Sequence, residues 1–192
     1  VEISAFNPVD DLHANGVVLT FFPRIGDLIV DKPEEYTQSK IDEIHEKYKD
    51  VPSISGNGKS PNVIIIQNEA WWDPTELKNV EFSEDPMAQI KALSESFPYG
   101  KLVTPVYAGG TCMPEFEFLT GHTTAFLPSG SNAYMLYIKN PLASLVSTLE
   151  GQGYSSLAFP PYYAGGWNRI SVYNNLGFNM FKSLENLFDV TL

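Results

Sequence analysis

Two short segments of this chain combine residue types that can do chemistry. One is Asn62-Val63-Ile64-Ile65-Ile66-Gln67, followed by Glu69. The other is Gly109-Gly110-Thr111-Cys112-Met113-Pro114-Glu115-Phe116. A glycine pair lets the backbone turn sharply and come close to a ligand. Residues from Thr111 onward are set to open a helix, whose free N–H groups and dipole favour an anion. A hydroxyl placed there, beside a divalent cation held partly by Glu69, can lose its proton and attack phosphorus. The same residues also fit a plain turn in which Thr111 caps the helix and Glu115 is its cap partner.

Those two segments need a scaffold. The β-branched run from Asn62 to Gln67 predicts a buried strand of a parallel sheet. Lys101 to Tyr107 reads as strand-like, with Pro105 pushing it toward an edge. Tyr154 to Phe159 reads as a third strand. Helices are expected from Pro33 through Lys49, with Ile41, Ile44 and Tyr48 on one face, and from Asp85 to Phe97, with Met87, Ile90, Leu93 and Phe97. Further helices are expected to start at Pro114, at Asn140-Pro141 (ended by Gly151 and Gly153), and at Ile170. The apolar stretch Val17 to Phe22 is expected to be a short helix or strand. Strands alternating with helices predict an α/β sheet. Ligands in such sheets sit beyond the carboxyl ends of the strands, where both Glu69 and Thr111 fall. The Ser/Gly/Pro stretch 52–61 is read as a linker, with a connector over residues 1–60 and a core over 61–192.

Composition narrows the function classes. The chain has 192 residues, 43% hydrophobic and 18% charged, which suits one domain with an N-terminal appendage rather than a disordered chain. Its formal net charge is −11. With no basic run, nucleic-acid binding is excluded, because phosphate neutralisation needs clustered Lys and Arg. Direct adhesion to an anionic membrane surface is disfavoured for the same reason. An acidic enzyme acting on an anionic substrate needs a cation at its site. The single cysteine, Cys112, excludes an intramolecular disulfide and a cysteine-based zinc cluster.

Four segments in order resemble the catalytic domain of lipoteichoic acid synthases and related phosphoglycerol transferases, within the sulfatase/alkaline phosphatase superfamily. Pro61 to Ala70 resembles the family's first strand, ending in its metal-binding Glu, here Glu69. Gly110-Thr111 with Glu115-Phe116 resembles the nucleophile turn. Leu127 to Ser131, then Leu142 to Tyr154, resembles the loop and helix that follow. Trp167-Asn168-Arg169 resembles the family's Trp-Asn-Arg, whose Trp and Arg line the phosphoglycerol pocket. The likeness runs from about residue 61 to 181, and residues 14–49 resemble the juxtamembrane connector.

The resemblance implies a partial alkaline phosphatase/sulfatase-like sheet flanked by helices, with an N-terminal helical connector. It implies Thr111 as nucleophile and metal ligand, Glu69 as metal ligand, and Trp167 and Arg169 as substrate-binding residues. The cofactor implied is a divalent ion, manganese or magnesium. The donor implied is a phospholipid head group such as phosphatidylglycerol, and the acceptor a cell-envelope polymer or glycolipid. It implies a bacterial enzyme held in the cell membrane by transmembrane helices that precede the connector, with the catalytic domain outside. An Asp-His pair further along completes the family's metal site. The chain is therefore expected to be the first half of such a domain and to lack activity alone.

The pattern is broken just before Trp167. Lipoteichoic acid synthases carry a His and an Asp there that help bind substrate, and those positions fall on Pro160 and Tyr162. A sulfatase would place a Cys-x-Pro-x-Arg motif at the nucleophile, but Phe116 stands where Cys112-Met113-Pro114 would require Arg. Sulfate ester hydrolysis, phosphoethanolamine transfer, phosphodiester hydrolysis and a non-catalytic binding module are the alternatives. His122 and Asp73 are expected to be structural and solvated, Glu115 and Glu117 to lie on a helix face, and Trp71 and Trp72 to pack. Tyr134, Tyr137, Tyr162 and Tyr163 fit either a core or a glycan or glycerol groove.

Overall fold

A computed structural model describes residues 8–26, 29–50, 60–68, 71–107, 109–128 and 130–187. The chain divides into two compact units, one of Val1–Ile66 with Phe126–Ser131, the other of Gln67–Ala125 with Asn132–Leu192. The expected linker lies largely outside the described residues.

In the first unit, helix α1 spans Pro8–Gly26 and is interrupted at Gly16 (φ 74°, ψ 169°), a conformation that suits glycine. Across the interruption the buried Thr20 hydroxyl donates to the Asp11 carbonyl at 3.0 Å. The apolar stretch Val17 to Phe22 is thus helical. Helix α2 spans Gln38–Tyr48 and begins later than the Pro33 signal suggests. Thr37 sets the start, its hydroxyl accepting from the Lys40 amide at 3.3 Å, while Pro33 and Tyr36 close a separate turn. No helix among the described residues is long and apolar enough to cross a membrane.

The expected strand from Asn62 to Gln67 does not form. Residues 62–67 carry no ladder, and Ile64 and Ile66 are each 85% exposed. A parallel strand exists only alongside a partner, and the one ladder among the described residues lies elsewhere. The stretch 101–107 is likewise irregular, with Val103 and Tyr107 exposed.

The second unit is helical around a small parallel sheet, which is the α/β class expected. Helix α3 spans Ala88–Ser96 and α4 spans Cys112–Thr120. The short helix α5 spans Ala133–Leu136 and α6 spans Leu145–Glu150. Strand β1 (Leu157–Ala158) pairs in parallel with β2 (Met180–Phe181), in the register Leu157 to Met180 and Ala158 to Phe181. Helix α7 (Arg169–Asn175) lies in the crossover, and α8 (Leu184–Leu187) follows β2. The core gathers Cys112, Met113, Phe116 and Leu119 of α4 with Tyr134, Val146, Val172, Tyr173 and Leu176.

Helix α6 starts at Leu145 rather than at Asn140-Pro141 because Ser144 caps it. The Ser144 hydroxyl accepts from the Ser147 amide at 3.0 Å, and the Ser147 hydroxyl accepts from the Ser144 amide at 2.9 Å, a reciprocal capping box. Ser144 also donates to the Leu176 carbonyl at 2.6 Å, which joins α6 to the end of α7. Ser144→Ala is expected to lower stability by about 2 kcal/mol, at the upper end for a lost cap, since it also strands a carbonyl. Denaturant unfolding with an unchanged slope checks this.

Candidate active site

The glycine pair before Thr111 is used as its sequence suggests. Gly109 (φ 134°) and Gly110 (φ 68°) both have positive φ, and α4 begins directly after Thr111. Pro114 falls in the first turn, where its missing N–H costs nothing. Gly121 ends the helix in the left-handed conformation, its amide returning to the Glu117 carbonyl. The buried stripe Cys112, Met113, Phe116 and Leu119 fixes which face of α4 meets the core.

Thr111 sits at the head of this helix, half-buried, and its hydroxyl makes no capping hydrogen bond. The capped-turn reading, with Glu115 as partner, therefore does not describe the geometry. The Thr111 carbonyl is held instead by the Gln67 side-chain amide, which donates to it at 3.3 Å. Glu69 lies outside the described residues; its neighbour two positions back is thus the one tied to the Thr111 turn.

Glu115 does not lie on a solvated face. Its carboxylate accepts from the Tyr173 hydroxyl and pairs with Arg169, Nη2 to Oε2 at 3.3 Å. The Arg169 and Glu115 side chains are 5% and 13% exposed, so this is a buried ion pair rather than a surface one. It joins α7 to the first turn of the helix that Thr111 opens. Tyr134 of α5 is fully buried with its ring edge-on to Tyr173 at 6.5 Å. Burial, followed by the Glu115 charge, pushes both phenols above the ordinary tyrosine range.

Just before Arg169, Trp167 (φ 56°, ψ 26°) and Asn168 (φ 57°, ψ 26°) are both left-handed. Asparagine adopts this region with some ease, but a bulky Trp does not, and the cost is about 1–2 kcal/mol. Such strain persists only where the surroundings enforce it, and it concentrates at functional sites. The turn follows the carboxyl end of β1, where open α/β sheets place ligands.

Cys112 is fully buried, and its thiol accepts from the Asn132 amide at 3.0 Å. Burial pushes the thiol up to about 11, from an ordinary value of 9.0. Alkylation of the native protein by iodoacetamide near neutral pH is expected to be negligible and to become complete only after denaturation, as read by intact mass. The pH sign follows from the same shift. The folded state keeps this proton, and those of Tyr134 and Tyr173, to higher pH than the unfolded chain does. The stability that the Cys112 proton contributes is fully present below about pH 9 and is lost as pH rises toward about 11.

Other candidates take structural places. Asp73 caps the 3-10 turn Pro74–Glu76, accepting from the Thr75 amide at 2.8 Å and its hydroxyl at 2.6 Å, and those bonds lower its pKa. His122 stacks on Phe116 at 6.2 Å. Glu117 accepts from the Thr124 amide at 2.6 Å. Trp71 and Trp72 are 47% and 53% exposed rather than packed. No group of three or more His, Cys, Asp or Glu residues able to hold a metal occurs among the described residues. The two metal ligands expected from the sequence are Thr111, whose hydroxyl makes no capping bond, and Glu69, which lies outside the described residues.

One family model matches most of the chain. A family model described as Sulfatase matches residues 61–191. Over 182 residues the chain is 37% identical to a protein of Rhizobium meliloti (strain 1021) named "Putative cyclic beta-1,2-glucan modification protein", covering 95% of this chain and 28% of that one. It is 25% identical over 128 residues to an uncharacterized protein of Haemophilus influenzae, covering 66% of this chain and 23% of that one. The chain thus spans about a quarter of the length of these relatives. Among solved structures, the lipoteichoic acid synthase LtaP of Listeria monocytogenes aligns over 46% of this chain and 21% of that one, with a TM-score of 0.39 and 22% identity.

Proposed function

The chain belongs to the sulfatase family, and on that footing we propose that it carries the nucleophile half of a phosphoglycerol transferase site. Thr111 is the nucleophile. The observation that carries this reading is the Thr111 turn itself: a hydroxyl at the head of α4, on two positive-φ glycines, with its capping role left unused. The neighbouring Cys112, which a sulfatase would use, faces the core and is inaccessible to substrate.

The reaction proceeds in two displacements. The Thr111 oxygen attacks phosphorus of a lipid such as phosphatidylglycerol. The bond from phosphorus to the diacylglycerol oxygen breaks, and diacylglycerol leaves with the proton. A hydroxyl of the acceptor then attacks the same phosphorus. The bond to Thr111 breaks, and the acceptor's proton returns to the threonine oxygen. The name of the Rhizobium meliloti relative makes a glucan the acceptor that fits best. Trp167 and Arg169 would border the phosphoglycerol group, with Arg169 held at its buried place by the Glu115 pair.

Members of the family typically act with a divalent metal ion. Here Thr111 and Glu69 would hold it from this chain, with manganese or magnesium the ions that suit oxygen donors. When bound, it supplies the positive charge that a phosphodiester needs in a chain of net charge −11. The proposed setting is the outer face of a bacterial cell membrane, where the lipid donor and the glucan meet.

The test uses membranes containing the protein expressed from its complete gene, with phosphatidylglycerol labelled in its terminal glycerol and cyclic beta-1,2-glucan as acceptor. Label is expected to appear in the glucan. Label released only as free glycerol phosphate would favour a phosphodiesterase, and turnover of a sulfate ester alone would favour a sulfatase.

A further inference from the structure

Between β1 and the strained turn, residues 159–166 form a loop that presents two aromatic rings to solvent on a fixed backbone. Tyr162 and Tyr163 are 56% and 59% exposed. Their rings meet edge to face, with centroids 5.5 Å apart at 73°. The backbone beneath them is pinned at several points. The Tyr162 carbonyl accepts from the Leu184 amide at 3.0 Å, and the Tyr163 carbonyl accepts from the Gly166 amide at 3.0 Å. The Ala164 amide donates to both Glu185 carboxylate oxygens at 3.1 Å. Gly166 lies against the first ring: a Cβ there would come within 2.8 Å of Tyr162 Cδ1, so a larger residue would displace the ring. Three residues further on, Arg169 is fastened to Glu115, on the helix that Thr111 opens.

We propose that Tyr162 and Tyr163 form a stacking platform for the sugar rings of a neutral glucan, and that they set acceptor choice. The proposal rests on the transfer reading above and names the group that receives the phosphoglycerol. A pyranose ring has an apolar C–H face and a polar rim. An aromatic face covers the first, and the phenol hydroxyls and water serve the second. Two rings held in place by backbone bonds offer large contact area at low entropic cost. The platform carries no formal charge and the chain is acidic, which suits an uncharged acceptor over an anionic one.

The test measures binding and transfer separately. The protein from its complete gene, purified in detergent, is titrated with cyclic beta-1,2-glucan by calorimetry, and the acceptor KM is measured with labelled lipid. Tyr162→Ala and Tyr163→Ala are each expected to raise the glucan Kd and KM about tenfold or more, as loss of an anchoring aromatic does. The rate of covalent labelling by lipid donor should stay unchanged. Tyr163→Trp, which keeps an aromatic face, should retain binding. Tyr163→Leu, which keeps apolar bulk without the face, should lose it, and this pair decides the matter if an alanine variant misfolds. Unchanged Kd and KM in the folded double variant would overturn the platform while leaving transfer intact. Lost glucan binding in a protein that transfers no phosphoglycerol would uphold the platform and remove the transfer reading.

Discussion

Arg169→Ala is expected to destabilise the second unit by about 3–5 kcal/mol, the largest stability loss of any single replacement considered. Removing one partner of a buried pair leaves the other charge in a poorly solvated place. Glu115 would keep the Tyr173 hydroxyl as partner, in a pocket also lined by Tyr134. Arg169→Lys should recover only part of the loss, since an ammonium cannot reproduce the planar fork. The double replacement Glu115→Leu with Arg169→Met should be milder than Arg169→Ala alone, because no buried charge is then left unpaired. Denaturant unfolding of the four proteins checks this. A loss below about 1 kcal/mol for Arg169→Ala would mean that the pair behaves as a solvent-exposed one.

Thr111→Ala is expected to reduce transfer by at least about 10⁴-fold, as loss of a nucleophile does when the remaining site still binds substrate. Its stability should scarcely change. A capping threonine costs about 1 kcal/mol when replaced by alanine, whereas the Thr111 hydroxyl makes no capping bond. The contrast separates the two roles available to this residue. A nucleophile gives a large loss of rate with native stability. A cap gives a measurable loss of stability with activity that tracks the folded fraction. Thr111→Ser keeps a hydroxyl and should stay within about tenfold of the native rate, whereas alanine should not.

Much of the Thr111 turn could be read from local sequence. Gly109-Gly110 announces a sharp turn and Pro114 a first helical turn. Each is a short-range constraint, and the structure follows each. Helix starts were read less well where a stronger capping residue lay a few positions on, as with Thr37 after Pro33 and Ser144 after Asn140. The run Val63 to Ile66 has the composition of a buried strand, but composition cannot supply the neighbour that a parallel ladder requires. The partners of Glu115 had no signal in the sequence around it. Arg169 and Tyr173 lie 54 and 58 residues away, so their meeting depends on how α7 packs on α4. What sequence could offer was an acidic residue on the core-facing side of an apolar helix, which calls for a buried cation or hydroxyl.

The departure at Trp167 was also silent in the sequence, since no residue pattern announces a left-handed tryptophan. Its location is informative. It lies between the exposed tyrosine loop and the buried arginine. The strain is held by the Arg169 pair on one side and by the pinned loop on the other.

The most direct measurement is peptide mapping by mass spectrometry after incubation of the full-length protein with labelled phosphatidylglycerol and no acceptor. A phosphoglycerol group is predicted on Thr111, absent from Thr111→Ala and removed when glucan is added. A label on any other residue, a formylglycine at Cys112, or transfer that continues in Thr111→Ala would contradict the account.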